Sequence, residues 1–257
     1  MRIALGIEYD GTDFMGWQLQ AQGPTVQGTV EAAASFVAAE DVRLICAGRT
    51  DTGVHARGQV VHFETNANRP GRAWLMGINS RLPASVCVTW AQPVADDFHA
   101  RYSAIARRYR YTILNRPVRP ALDARQVAWE RLPLDAAAMH DAAQVLLGEH
   151  DFTSFRTVAC QSRTPIRRIE AIRVQRSDAS VIVEIRANAF LHHMVRNIVG
   201  SLLAVGRGDQ PVAWVGEVLA LRDRALAAPT APAGGLVFEG PLYPARFGLP
   251  AAFSSAD

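Results

Sequence analysis

The sequence predicts an α+β fold of two related halves, residues 1–103 and 104–257. Each follows the β-α-β-β-α-β order of the split βαβ, or ferredoxin-like, arrangement. Three observations carry this prediction. Short runs alternating between apolar and polar residues give way repeatedly to segments whose apolar residues recur every three to four positions. Gly, Pro, Asn and Asp separate these segments. The order of elements in the first hundred residues then returns in the remainder. A chain of 257 residues is long enough for one large domain or two small ones with a real core.

In the first half, Arg2 to Tyr9 alternates with Ile3, Leu5, Ile7 and Tyr9 on one face, and Asp10-Gly11 ends the strand. Phe14 to Gln22 reads as a loop anchored by Trp17. Thr25 caps a helix whose apolar stripe is Val26, Val30, Ala33, Ala34 and Val37. Val42 to Ala47 and Gln59 to Thr65 are strands on either side of a polar loop. Arg72 to Leu82 is a helix ended by Pro83, and Ser85 to Gln92 a fourth strand through Val86, Val88 and Trp90.

In the second half, Ile105 to Leu114 is a strand with Arg107, Tyr109, Tyr111 and Ile113 on one face. Asn115 to Pro133 is mostly loop. Asp135 caps a helix through Met139, Ala143 and Leu146, closed by Gly148. Ile169 to Arg176 and Val181 to Ala189 form a hairpin around Ser177-Asp178. Leu191 to Val205 is an apolar helix closed by Gly206, and a further helix begins at Asp209-Pro211 and ends near Asp223. Leu236 to Glu239 is a short final strand. Residues 226 to 235 read as a flexible loop, and the tail from Gly248 as poorly ordered. Two sheets placed edge to edge would leave a cleft into which the loop at Asp51 could open.

Composition narrows the function. With 49% hydrophobic and 20% charged residues the chain reads as an ordinary globular protein. It has no apolar run of membrane-spanning length and no secretory h-region at the N-terminus, so a cytoplasmic location is expected. Cys46, Cys87 and Cys160 are odd in number and far apart, which fits neither a disulfide framework nor a Cys-x-x-Cys metal site. All 27 basic residues are Arg, so chemistry through a lysine Schiff base or a P-loop lysine is excluded. The net charge is only +3, but the arginines cluster. Arg101, Arg107, Arg108, Arg110, Arg116, Arg119, Arg125 and Arg131 have only Asp123 and Glu130 among them. A second group is Arg156, Arg163, Arg167, Arg168, Arg173 and Arg176. Such clusters serve as a phosphate-binding footprint or as a solvated strand face.

The polar loop runs Gly48-Arg49-Thr50-Asp51-Thr52-Gly53-Val54-His55. Asp51 is either a turn aspartate bonded to its own backbone or a carboxylate held ionised beside Arg49 for catalysis. Tyr109 lies in Ala106-Arg107-Arg108-Tyr109-Arg110-Tyr111; a strand tyrosine belongs to a core, or, interleaved with arginines, to a surface on which bases stack. Arg196 sits among Met194, Val195, Ile198 and Val199 and needs either an anionic partner or a path to solvent. The pairs His192-His193 and His55/His62 lack the spacing of a metal site, and no metal is expected.

The loop closely resembles the signature loop of the TruA family of tRNA pseudouridine synthases. Ala4 to Trp17, Asp96 to Asn115, Gly148 to Thr164 and Asn188 to Ser201 match as well, so the resemblance spans nearly the whole chain. It departs at Thr52, where the family usually has Ala. The resemblance implies an isomerase that converts uridine to pseudouridine at positions 38, 39 and 40 of the tRNA anticodon stem-loop, without a cofactor. It makes Asp51 the catalytic nucleophile, Tyr109 the active-site tyrosine that stacks on the target base, and Arg196 an active-site arginine paired with Asp51. Leu236 matches a leucine that packs against the flipped base, and Arg49 enters the space the base vacates. Arg107, Arg108 and Arg110 would bind the RNA. The resemblance also implies an active-site cleft between the halves and a homodimer. The residues alone equally suit an RNA-binding module without catalysis; a uridine methyltransferase would need a donor site and often a reactive cysteine.

Overall fold

The computed structural model describes residues 1–255. In chain order the elements are β1 (Arg2–Tyr9), α1 (Val26–Ala38), β2 (Ile45–Cys46), β3 (His55–Glu64), α2 (Gly71–Asn79), β4 (Val86–Val94), β5 (Ala106–Asn115), β6 (Ala128–Glu130), α3 (Ala136–Gln144), β7 (Gly148–Asp151), β8 (Ile166–Ser177), β9 (Ser180–Ala187), α4 (Met194–Gly206), α5 (Trp214–Leu221), β10 (Leu236–Pro244) and β11 (Ser254–Ser255). The fold is α+β, as the sequence predicts. Among the described residues, no helix is long and apolar enough to cross a membrane. The chain forms two compact units, Met1–Arg107 with the segment from Phe238 onward, and Arg108–Val237. The sequence reading leaves that last segment with the second half.

The first unit carries a sheet in the order β4-β1-β3-β10. β1 pairs antiparallel with both β3 and β4, with Arg2 opposite Glu64 on one side and Val94 on the other. As a central strand β1 is buried on both faces, so Ala4 and Gly6 are as covered as Ile3, Leu5 and Ile7. A Cβ on Gly6 would lie 2.0 Å from Trp90 Nε1, so only glycine lets that indole lie against the strand. Thr25 caps α1 by accepting the Gly28 N–H at 3.2 Å.

Two elements are shorter than predicted, each because side chains take the backbone groups. β2 is only Ile45–Cys46, since Ser35 Oγ accepts the Val42 N–H and Glu31 Oε1 the Leu44 N–H, both at 2.9 Å. α2 stops at Asn79, whose amide makes two 2.8 Å bonds to the main chain of Val88.

The tail is a correction. Residues 248–255 are not loose, while 256–257 lie outside the described residues: Leu249 and Phe253 are buried with Phe247, Tyr243, Phe98 and Ala4 in one cluster. The Phe253 ring lies 5.6 Å from Trp90. The apolar residues of this stretch follow neither period, so no element is legible there, yet they cover one face of β1.

The second unit carries the order β5-β9-β8-β7. β8 and β9 form the predicted hairpin, with Ser177 opposite Ser180 and Asp178 in the left-handed region at φ 50°. β7 pairs antiparallel with β8 and β6 parallel with β5; both short strands fall where the sequence shows loop or turn. Asp135 caps α3 by accepting the Ala137 and Ala138 N–H groups at 2.9 Å. α4 begins at Met194 rather than Leu191 because His193 is left-handed, at φ 61°. Of its thirteen residues only Arg196 is not buried.

Candidate active site

In the first unit, the loop from Gly48 to Val54 is held from below. The Thr50 and Tyr9 hydroxyls share a 2.7 Å hydrogen bond, and both residues are buried. Burial pushes the Tyr9 phenol well up, so it stays protonated. The Trp17 main-chain N–H donates to the Thr50 carbonyl at 3.0 Å, and the Trp17 side chain is buried, as the sequence suggests for the anchor of the 14–22 loop. Gly16, at φ +81°, runs directly under the loop; a Cβ there would lie 2.7 Å from Thr50 O and 3.1 Å from Thr52 N. Thr52 itself is exposed. At the far end His55 Nδ1 accepts the Gly11 N–H at 3.1 Å. Gln59 Nε2 donates to the Gly48 carbonyl at 2.6 Å.

Asp51 is half-buried. The turn it begins is closed by the Val54 N–H donating to the Asp51 carbonyl at 3.1 Å. This closure runs through the main chain. Arg49 is exposed. The arrangement presents a carboxylate on a rigid turn, as a nucleophile or base requires. Cys46 sits at the root of the loop. Burial pushes its thiol up to about 12, with Arg49 pulling the other way, so it is no thiolate nucleophile near neutral pH.

Arg107 belongs to the same unit and has a scaffold task. Its guanidinium donates to the carbonyls of Ala104 at 3.0 Å, Ala47 at 3.3 Å and Arg101. It ties the strand that feeds the loop to the 101–104 segment.

In the second unit, β5 separates its two tyrosines. Tyr111 is fully buried, donates its hydroxyl to the Pro232 carbonyl at 2.7 Å, and burial drives its phenol up. A Cβ on Gly235 would lie 2.8 Å from its ring. Tyr109 is half-buried and packs edgewise on Phe190 at 5.0 Å. Arg110 pairs with Glu184 at 2.6 Å, and Arg108, two residues before it, is half-buried. Arg196, in the first turn of α4, donates Nε to the Ala231 carbonyl at 2.8 Å, while the Ala231 N–H donates back to the Arg196 carbonyl at 3.1 Å. Leu236 is buried at the start of β10.

A family model described as tRNA pseudouridine synthase matches residues 6–103 and 142–244. The tRNA pseudouridine synthase A of Xanthomonas campestris pv. campestris (strain B100) is 58% identical over 253 residues, 98% of this chain and 98% of its own. The chain belongs to the tRNA pseudouridine synthase family. The tRNA pseudouridine synthase A of Xylella fastidiosa (strain M12) is likewise 58% identical, over 251 residues, covering 97% of this chain and 98% of its own. Among solved structures, a chain of a Cbf5-Nop10-Gar1 complex covers 78% of this chain and 45% of that one, at 13% identity and a TM-score of 0.36.

As a pseudouridine synthase of this family, the chain shows what sequence reasoning passed over. The Tyr9–Thr50 hydroxyl pair and the Gly16 backing are invisible as motifs, because their partners lie 41 and more than 30 residues apart. Phe190 as the neighbour of Tyr109 left no signal either. The Arg107 bonds to carbonyls were hidden inside an arginine-rich strand that reads as a phosphate surface.

Proposed function

We propose that the protein isomerises uridine to pseudouridine at positions 38, 39 and 40 of the tRNA anticodon stem-loop, with Asp51 as nucleophile. The observation that carries this reading is the Asp51 loop, in a chain 58% identical to a tRNA pseudouridine synthase A from end to end.

A stacked uridine must first leave the helix, at a cost of a few kcal/mol. Arg49 fills the vacated space. Asp51 attacks the nucleotide and the N1–C1′ bond breaks. The uracil turns, C5 bonds to C1′ as the bond between Asp51 and the nucleotide breaks and frees the carboxylate, C5 gives up its proton, and N1 gains one. Atoms and electrons balance within the nucleotide, so no redox partner or group donor is needed. Tyr109 stacks on the base and assists removal of the C5 proton. Leu236 packs against the base, and Arg196 supplies positive charge to an anionic reaction. Arg107, Arg108 and Arg110 contact RNA. The enzyme works as a cytoplasmic homodimer, without cofactor or metal. The test is incubation of the purified protein with unmodified tRNA transcript and nothing else, followed by nucleoside analysis. Pseudouridine confined to positions 38, 39 and 40 is expected; no pseudouridine, or product elsewhere, refutes the reading.

A further inference from the structure

In the first unit, the connection between β4 and β5 builds an aromatic platform apart from the residues assigned above. Tyr102 is 75% exposed, yet its ring is held. It lies 4.3 Å from the His99 ring at an interplanar angle of 31°, and His99 packs edgewise on buried His62 at 4.8 Å. His99 Nδ1 accepts the main-chain N–H groups of Arg101 and Tyr102, both at 3.2 Å. The His99 N–H donates to the Ser103 hydroxyl at 3.0 Å, and the Ser103 N–H returns to the His99 carbonyl at 2.9 Å. The turn is closed on itself, so the tyrosine stands in solvent on a fixed base. The Arg101 guanidinium lies over the ring, 5.5 Å from its centroid and within cation–π range, while the tyrosine as a whole stays 75% exposed.

The platform adjoins the root of the Asp51 loop. One nitrogen of Arg107, Nη2, bonds both the Arg101 carbonyl and the carbonyl of Ala47, four residues before Asp51. An exposed aromatic ring, already ordered and flanked by a cation, is the element that unpaired bases stack on. Every base has a π-face, and the ordering cost is met before binding.

We infer that Tyr102, backed by His99, is a stacking subsite for an unpaired nucleobase of the RNA, other than the uridine that is isomerised. This rests on the proposed RNA substrate. The alternative is that the ring merely covers His99, a task any apolar side chain performs.

The test is a set of binding isotherms for unmodified tRNA transcript, with melting curves, on the full chain and on Tyr102→Ala, Tyr102→Leu and Tyr102→Phe. Loss of one base stack predicts a Kd weakened by about 5- to 150-fold in Tyr102→Ala. Tyr102→Leu should be weakened comparably although it still covers His99, and Tyr102→Phe should stay within about twofold of wild type. The slope of log Kd against log salt should not change, because no charge is removed. Binding by Tyr102→Ala or Tyr102→Leu within twofold of wild type overturns the subsite. So does equal weakening in Tyr102→Phe, which would place the effect in the hydroxyl, or a changed salt slope. Pseudouridine formation by the wild type is read separately. If that fails, the proposed function falls; if it succeeds and Tyr102→Ala binds normally, only the subsite does.

Discussion

Tyr9→Phe removes one oxygen from the support of the Asp51 loop. The Tyr9 and Thr50 hydroxyls are 2.7 Å apart and shielded from water, at 3% and 7% exposure. Losing the bond forfeits about 1 kcal/mol net, and a buried Thr50 hydroxyl without its partner adds desolvation cost, so about 1–3 kcal/mol is expected in all. For a chain of this size that lowers Tm by about 2–10 °C. Thr50 is the residue before Asp51, so its displacement moves the carboxylate. A misplacement near 1 Å costs up to about 100-fold in turnover, so kcat should fall by about 10-fold or more with little change in tRNA binding. Thr50→Val should act alike. The double variant should cost less than the sum of the two, because each single change strands the other's hydroxyl. The assay is single-turnover pseudouridine formation beside thermal melts of all four proteins. Additive effects, or a Tyr9→Phe protein with wild-type Tm and turnover, would refute the idea that this bond holds the loop.

Two further outcomes are expected. Phe253→Ala should destabilise the protein by about 3 kcal/mol, read by chemical denaturation, because it empties a cluster shared with Trp90 and Phe247; a loss under 0.5 kcal/mol would mean the tail does not serve the core. Stability should also fall as the solution is acidified. Burial, with His99 and Arg2 nearby, lowers the His62 pKa from 6.5 to about 4, so the folded form stays neutral where the unfolded chain gains a proton. The loss therefore begins below about pH 6.5 and reaches about 1–2 kcal/mol by pH 5. His62→Asn, which keeps an acceptor for the Ala100 N–H, should remove that part of the pH dependence; equal wild-type stability at pH 7.5 and pH 5 would contradict it.

Elements that follow from local chemistry were legible in the sequence. The Thr25 and Asp135 caps, the extent of β1 and the β8–β9 hairpin stand where periodicity and turn residues put them. Elements decided by distant partners were not. β2 is cut short by Glu31 and Ser35 from α1, and α2 by Asn79 turning to Val88. The tail as far as Ser255 packs on Trp90 of β4 and on Phe98 in the connection after it, which no window around Gly248 contains. The site divides in the same way. The Arg49-Thr50-Asp51 loop announced itself as a motif, whereas the groups that hold it, Tyr9, Gly16 and Arg107, come from elsewhere in the chain.

The most direct test of the account is Asp51→Asn. Asn keeps the shape, and the turn closes through the residue 51 carbonyl and the Val54 N–H, so melting temperature and tRNA binding should stay near wild type. Only the negative charge is lost, and with it the nucleophile. Single-turnover pseudouridine formation should therefore drop by at least ~10³-fold. A rate within about tenfold of wild type would show that Asp51 is a turn residue and that the nucleophile lies elsewhere.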